Sequence, residues 1–179
     1  MLNRRILRIK AFKVLYSNAI AENMSLAQAQ SQLDVACEAT RDLYIYMLAI
    51  VSPLTKIAKD RIESARSKFN PTDEELNPNM KFADNALAKL LDADVDFQKI
   101  LSKKKLSWDQ YDIFLKKVMN SIASKEYYAE YMASPTSSLK EDCRLFTRIF
   151  EEEFVDSEDL ERILEDKSLY WNDDLAYAL

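Results

Sequence analysis

The chain has 179 residues, 48% of them hydrophobic and 31% charged, with a formal net charge of −5. That is enough apolar sequence for one domain with a real core, or two small subdomains, and too much for a disordered chain. Glycine and histidine are both absent, which excludes phosphate-cradling glycine loops and removes the commonest general base and metal ligand.

Without such a base, neither cysteine nor any serine has the partner that nucleophilic catalysis needs. No catalytic residue, metal ligand or cofactor is therefore expected, and the chain does not read as an enzyme. The lack of glycine and the four prolines predict an all-α protein whose helices end at Asn, Ser and Asp. Cys37 and Cys143 have no metal or redox spacing and are expected as small core residues in a reducing compartment.

The first predicted helix runs from Asn3 to about Asn23. At 100° per residue, Leu2, Ile6, Ile9, Phe12, Tyr16 and Ile20 fall on one broad face, and Leu7, Ala11, Val14 and Leu15 on a second. A helix apolar on two sides reads as the central member of a bundle. Its N-terminal end carries Arg4, Arg5 and Arg8 between the two faces, with Lys10 and Lys13 on the other side. No acid precedes Glu22, so the remaining 158 residues carry a net −10. Cations at a helix N-terminus oppose the macrodipole. The basic tip is thus either a solvated turn or an anion site, and any nucleic-acid contact should be centred on it. The apolar stretch ending at Ala19-Ile20-Ala21 is broken by Arg8, Lys10 and Lys13, so it is not a signal peptide. No segment approaches the ~20 apolar residues of a membrane span, and the cytoplasm is the expected compartment.

Ser25 and Gln28 form a capping box that opens the second helix. The apolar pattern continues to Val51, where Ser52-Pro53 is expected to restart the helix. The third helix is expected over 54–69, with Lys56, Lys59, Arg61, Arg66 and Lys68 interleaved with Asp60 and Glu63 on a solvated face. Asn70-Pro71-Thr72 and Asn77-Pro78-Asn79 bracket a linker, with a single capped turn from Thr72 to Glu75. Short helices follow over 85–91 and 95–106. The latter ends in Lys103-Lys104-Lys105, which is either a favourable C-terminal charge run or an auxiliary phosphate contact. Ser107 and Gln110 are a further capping box before a helix burying Trp108, Tyr111, Phe114, Leu115, Val118, Met119 and Ile122. The tyrosines of 127–131 read as core packing, because Glu126 and Glu130 would repel a phosphate backbone. Ser138 and Glu141 cap the next helix, and Asp156 or Ser157 starts the last. Glu151-Glu152-Glu153 and Asp173-Asp174 read as solvated charge.

The run Asn3-Arg4-Arg5-Ile6-Leu7-Arg8 followed by Val14-Leu15-Tyr16 resembles the N-terminal signature of the NusB transcription antitermination factors. Ser25-Leu26 onward and Asp42-Leu43-Tyr44 are similar to that family's second and third helices. Asn77-Pro78-Asn79-Met80-Lys81-Phe82, Tyr128-Ala129-Glu130-Tyr131-Met132 and Ser168-Leu169-Tyr170-Trp171-Asn172-Asp173-Asp174 resemble its long, insertion-bearing forms. The resemblance implies a NusB-like N-terminal three-helix bundle over 1–69, a linker over 70–82 and a helical insertion region over 83–179. The acid that often follows the third arginine is Ile9 here. The sequence also reaches Leu179 before the family's second three-helix bundle, so it reads as the N-terminal half plus the insertion.

By resemblance, the function is binding of single-stranded boxA-like RNA in ribosomal RNA transcripts. The partners implied are the ribosomal protein that acts as NusE and other transcription elongation factors. The RNA-binding residues expected on that basis are Arg4, Arg5, Arg8, Lys10, Lys13 and Tyr16. The first helix's second apolar face needs a cover, from the insertion helices or from another copy in a homodimer. The alternative from a different class is a helical protein-interaction module without RNA affinity. An RNA-methyltransferase accessory domain of the same fold ranks below both.

Overall fold

The computed structural model describes residues 2–21, 25–171 and 174–175, and all regular structure among them is helical. The expected helix end at Asn23, the Asn172-Asp173 pair and the last residues before Leu179 lie outside the described residues. The helices are α1 (Arg4–Ala21), α2 (Leu26–Leu48), α3 (Val51–Arg66), the single turn α4 (Asp73–Leu76), α5 (Ala86–Ala93) and α6 (Val95–Lys104), followed by α7 (Asp112–Ala123), α8 (Glu126–Ala133), α9 (Leu139–Ile149) and α10 (Glu158–Lys167). A 3₁₀ turn, Asp109–Tyr111, precedes α7, and a π-helical turn, Phe150–Phe154, extends α9. No helix among the described residues is long and apolar enough to cross a membrane.

Side chains set most of these boundaries. Ser25 and Gln28 exchange bonds at the start of α2, with Ser25 N donating to Gln28 Oε1 at 2.8 Å and Gln28 N to Ser25 Oγ at 3.3 Å. Thr72 and Glu75 do the same for α4. Asn85, Asp94 and Ser138 cap α5, α6 and α9. Lys105 closes α6 in the left-handed region at φ 54°, the position glycine usually fills.

Two expected caps are absent. Ser107 Oγ accepts from Asp109 N and donates to the Asp109 carboxylate. The chain therefore makes a 3₁₀ turn there, and α7 starts only at Asp112. Ser52 lies inside α3 and donates to Asp92 Oδ1 at 2.6 Å. The break between α2 and α3 falls at 49–50, which leaves Pro53 in a first turn where its missing N–H costs nothing.

The fold divides into two compact units, residues 1–44 with 161–178 and residues 45–160. The stretch 70–82, expected as a linker, lies inside the second unit. That unit's core is aromatic. Trp108, 2% exposed, stacks on Tyr46 with ring centroids 4.3 Å apart and donates its indole N–H to the Tyr46 carbonyl at 2.9 Å. Phe82 packs between Tyr128 and Phe146. Tyr127 and Tyr131 are buried, in line with the core packing expected of the tyrosines of 127–131.

A polar cluster ties the segment before α5 to α8 and α9. Lys81 Nζ donates to the Tyr131 and Ser134 carbonyls and to Glu141 Oε1 at 2.9 Å, and sits 4.2 Å from the Tyr131 ring centroid. The Tyr131 hydroxyl donates to Asp142 Oδ1 at 2.7 Å, and Asp142 Oδ2 accepts from Ala86 N. Burial, together with the Asp142 carboxylate, pushes the Tyr131 hydroxyl pKa up. The cysteines depart from the expected core positions, not from the expected free state. Both are free, Cys37 is half-buried and Cys143 is exposed, because Cys143 lies off the α9 stripe of Asp142, Leu145, Phe146 and Ile149.

Trp108→Ala should destabilise the chain by ~3–5 kcal/mol, the range for deleting a buried large aromatic, measured by urea denaturation. The Lys81 ammonium holds the Glu141 carboxyl at about 2, below its usual 4.5. A carboxylate lowered on folding stabilises above its unfolded value and loses that contribution as pH falls through the folded one. Between pH 4.5 and 2 the parent should therefore lose more stability than Glu141→Gln, as read by denaturation at the two ends of that window.

Candidate nucleic-acid interface

Asn3 starts α1, its Oδ1 accepting from Ile6 N at 2.9 Å. The first turn contains no acid. Ile6, Lys10 and Val14 are the buried positions, at 5, 5 and 8% exposure, and they form a single stripe at i, i+4 and i+8. Around the rest of the helix, Leu7, Ile9, Phe12, Leu15, Tyr16 and Ile20 are exposed, Phe12 at 67% and Tyr16 at 61%. The expected central post with two covered faces is therefore not observed. One stripe is covered, and the stripe includes a lysine.

Lys10 explains the difference. Its Nζ donates to Asp174 Oδ2 at 2.6 Å, with both side chains 6% exposed. Thr40 on α2 donates its hydroxyl to the same oxygen, also at 2.6 Å. Asp174 lies in the segment after α10, where Trp171 and Leu175 are also buried. One carboxylate oxygen thus joins α1, α2 and this C-terminal strap. A cavity of about 280 Å³ lies beside the pair, walled by Ile6, Ile9, Val14 and Ala36, with Leu169 and Tyr170 of the strap. Burial pushes the Cys37 thiol pKa up and the Lys10 ammonium pulls it down, while Asp34 and Asp174 add to the rise.

The six residues expected to bind RNA therefore separate. Arg4, Arg5, Arg8, Lys13 and Tyr16 are exposed, whereas Lys10 is buried and committed to Asp174. At 100° per residue, Arg4, Arg5, Arg8, Phe12 and Tyr16 occupy a sector of about 120°, turned away from the buried stripe. Phe12 and Tyr16 stack on each other with centroids 6.2 Å apart and an interplanar angle of 18°. Phe12 was absent from the expected set, although its i+4 spacing from Arg8 and Tyr16 was visible in the sequence.

Asp174 was read as solvated charge, yet it is 4% exposed. Only its place between Trp171 and Leu175 hinted at burial. Among the described residues, no group of Cys, Asp and Glu side chains is arranged to hold a metal ion. Comparison of the chain with protein-family models, curated proteins and solved structures found no match.

The arginine tip works against the helix that carries it. Replacing Arg5 by Glu should stabilise the chain by ~0.3–1 kcal/mol, through the macrodipole and relief of repulsion with Arg4 and Arg8. Urea denaturation of the parent and Arg5→Glu measures this, and loss of stability in the variant would assign the arginine a structural contact instead.

Proposed function

We propose that the chain is a non-enzymatic, single-stranded-RNA-binding protein of the NusB transcription antitermination type, contacting RNA through the outward face of α1. The observation that carries this reading is the joint exposure of three arginines and two stacked rings along one acid-free helix face. Arginines supply phosphate contacts and base-edge hydrogen bonds, and exposed rings stack on unpaired bases. The order of NusB-like motifs along the chain supports the same reading. So does the charge asymmetry, because an acidic body confines an RNA backbone to the one basic end.

The NusB resemblance adds the ribosomal protein acting as NusE, with other elongation factors, as protein partners. The exposed aliphatics Leu7, Leu15 and Ile20 offer such a partner an apolar contact on the same helix. They also favour a second reading, a protein-interaction module that uses α1 without RNA.

Fluorescence anisotropy with a short single-stranded boxA-type RNA separates the two. Three phosphate contacts give a slope of about −2 in log affinity against log salt. The triple Arg4, Arg5 and Arg8→Ala variant should abolish binding, and Phe12→Ala or Tyr16→Ala should each cost ~1–3 kcal/mol. Absence of binding at low salt, with concentration-dependent association in sedimentation, would favour the interaction module.

A further inference from the structure

We infer that Asp174 is a positioning residue for the RNA-binding face: it holds α1 against α2 and so presents Arg4, Arg5 and Arg8 as one rigid surface. The inference rests on the RNA-binding reading above and adds what keeps that face in register. The attachment of α1 is thin in apolar terms, since Ile6 and Val14 are its only buried apolar residues among those described. Between them lies Lys10, whose ammonium would be stranded in a buried site without the Asp174 carboxylate 2.6 Å away. Thr40 donates to the same carboxylate oxygen. One acid therefore satisfies a group on each helix, from a strap that reaches back 164 and 134 residues.

Removing the acid leaves a buried cation without its paired carboxylate, which favours release of α1 over retention of the pair's geometry. Once released, α1 is a poor autonomous helix. Its arginines oppose the macrodipole, and an isolated helix of this length is marginal in water. RNA would then have to re-form the helix before gripping it, and apparent affinity falls with the docked fraction.

The effect runs against simple electrostatics. Asp174→Asn removes a negative charge and unmasks a positive one, so a chain that used α1 only as a charge cluster would bind RNA more tightly. Positioning predicts weaker binding.

The test uses the full chain. Hydrogen exchange of Asp174→Asn should show α1 amides exchanging more than ~100-fold faster, with α3 and α7 unchanged. Affinity for the single-stranded boxA-type RNA should fall by about 10-fold or more. A double variant, Lys10→Met with Asp174→Leu, replaces the pair by apolar groups and should restore α1 protection, with affinity within about threefold of the parent. Unchanged α1 exchange in Asp174→Asn, or tighter RNA binding, overturns the inference. If Asp174→Asn loses protection throughout, the double variant decides: recovery of α1 protection supports positioning, and its failure overturns it. If the parent itself binds no RNA, the RNA-binding reading fails separately, and α1 exchange alone still decides what Asp174 does.

Discussion

A single carboxylate oxygen, Oδ2 of Asp174, takes two hydrogen bonds in a largely buried site, and the placement of the basic helix depends on it. Buried ion pairs are weak sources of net stability, because desolvating both charges offsets most of their attraction. Their strength lies in what they exclude. A slide of α1 along α2 by one turn would bring Ile6 or Val14 opposite the acid and separate Lys10 from it. Two aliphatic contacts tolerate such a slide, whereas a lysine facing a carboxylate does not. The pair therefore specifies register in a part of the molecule where the small side chains of Ala29, Ala36 and Ala39 on α2 offer little shape to read.

The consequence is that α1 is held by one stripe and free on its remaining circumference. Helices in globular domains seldom leave this much apolar surface uncovered. Nor do they usually gather cations at the end where the dipole is positive. Both features lower the stability of the isolated chain, and both lie on the same helix. Sites of recognition are where local rules are broken against the interest of stability. In the second unit buried polar groups find partners: Trp108 donates its N–H, and the Lys81, Tyr131 and Asp142 groups satisfy one another.

Helix content and most helix starts were legible because their causes are local. The boxes at Ser25 and Thr72 and the cap at Ser138 need only residues within three positions, and each forms as its spacing requires. The cap expected at Ser107 failed through a competing local bond, because Asp109 is two residues away and captures the hydroxyl first. The two covered faces of α1 failed for a different reason. A count of apolar residues at helical period treats lysine as an outward position, and nothing near Lys10 corrects that. Its partner lies 164 residues later, in an Asp-Asp pair whose composition suggests solvent. Periodicity could not have found this stripe without pairing the two charges. The arginine tip was legible because it depends on composition alone, an acid-free turn, and no long-range contact.

The distribution of charge gives the exposed face its distinctive character. In the second unit cations meet acids at short range: Lys81 with Glu141, Lys89 with Asp84, Lys116 with Asp112 and Lys117 with Asp159. Such pairs add little stability at the surface, but they cancel the local field that a polyanion would sense. On α1 the arrangement is reversed. Lys10 is neutralised and buried, while Arg4, Arg5 and Arg8 have no acid on their own helix. With a Debye length of about 10 Å at 0.1 M salt, a phosphate approaching α1 senses these arginines more strongly than any acid lying beyond that range. Burying one lysine with its counter-ion and leaving three arginines exposed concentrates positive potential at the tip of α1. The docked stripe can then be selected for register and the outward face for contact, with neither constraining the other.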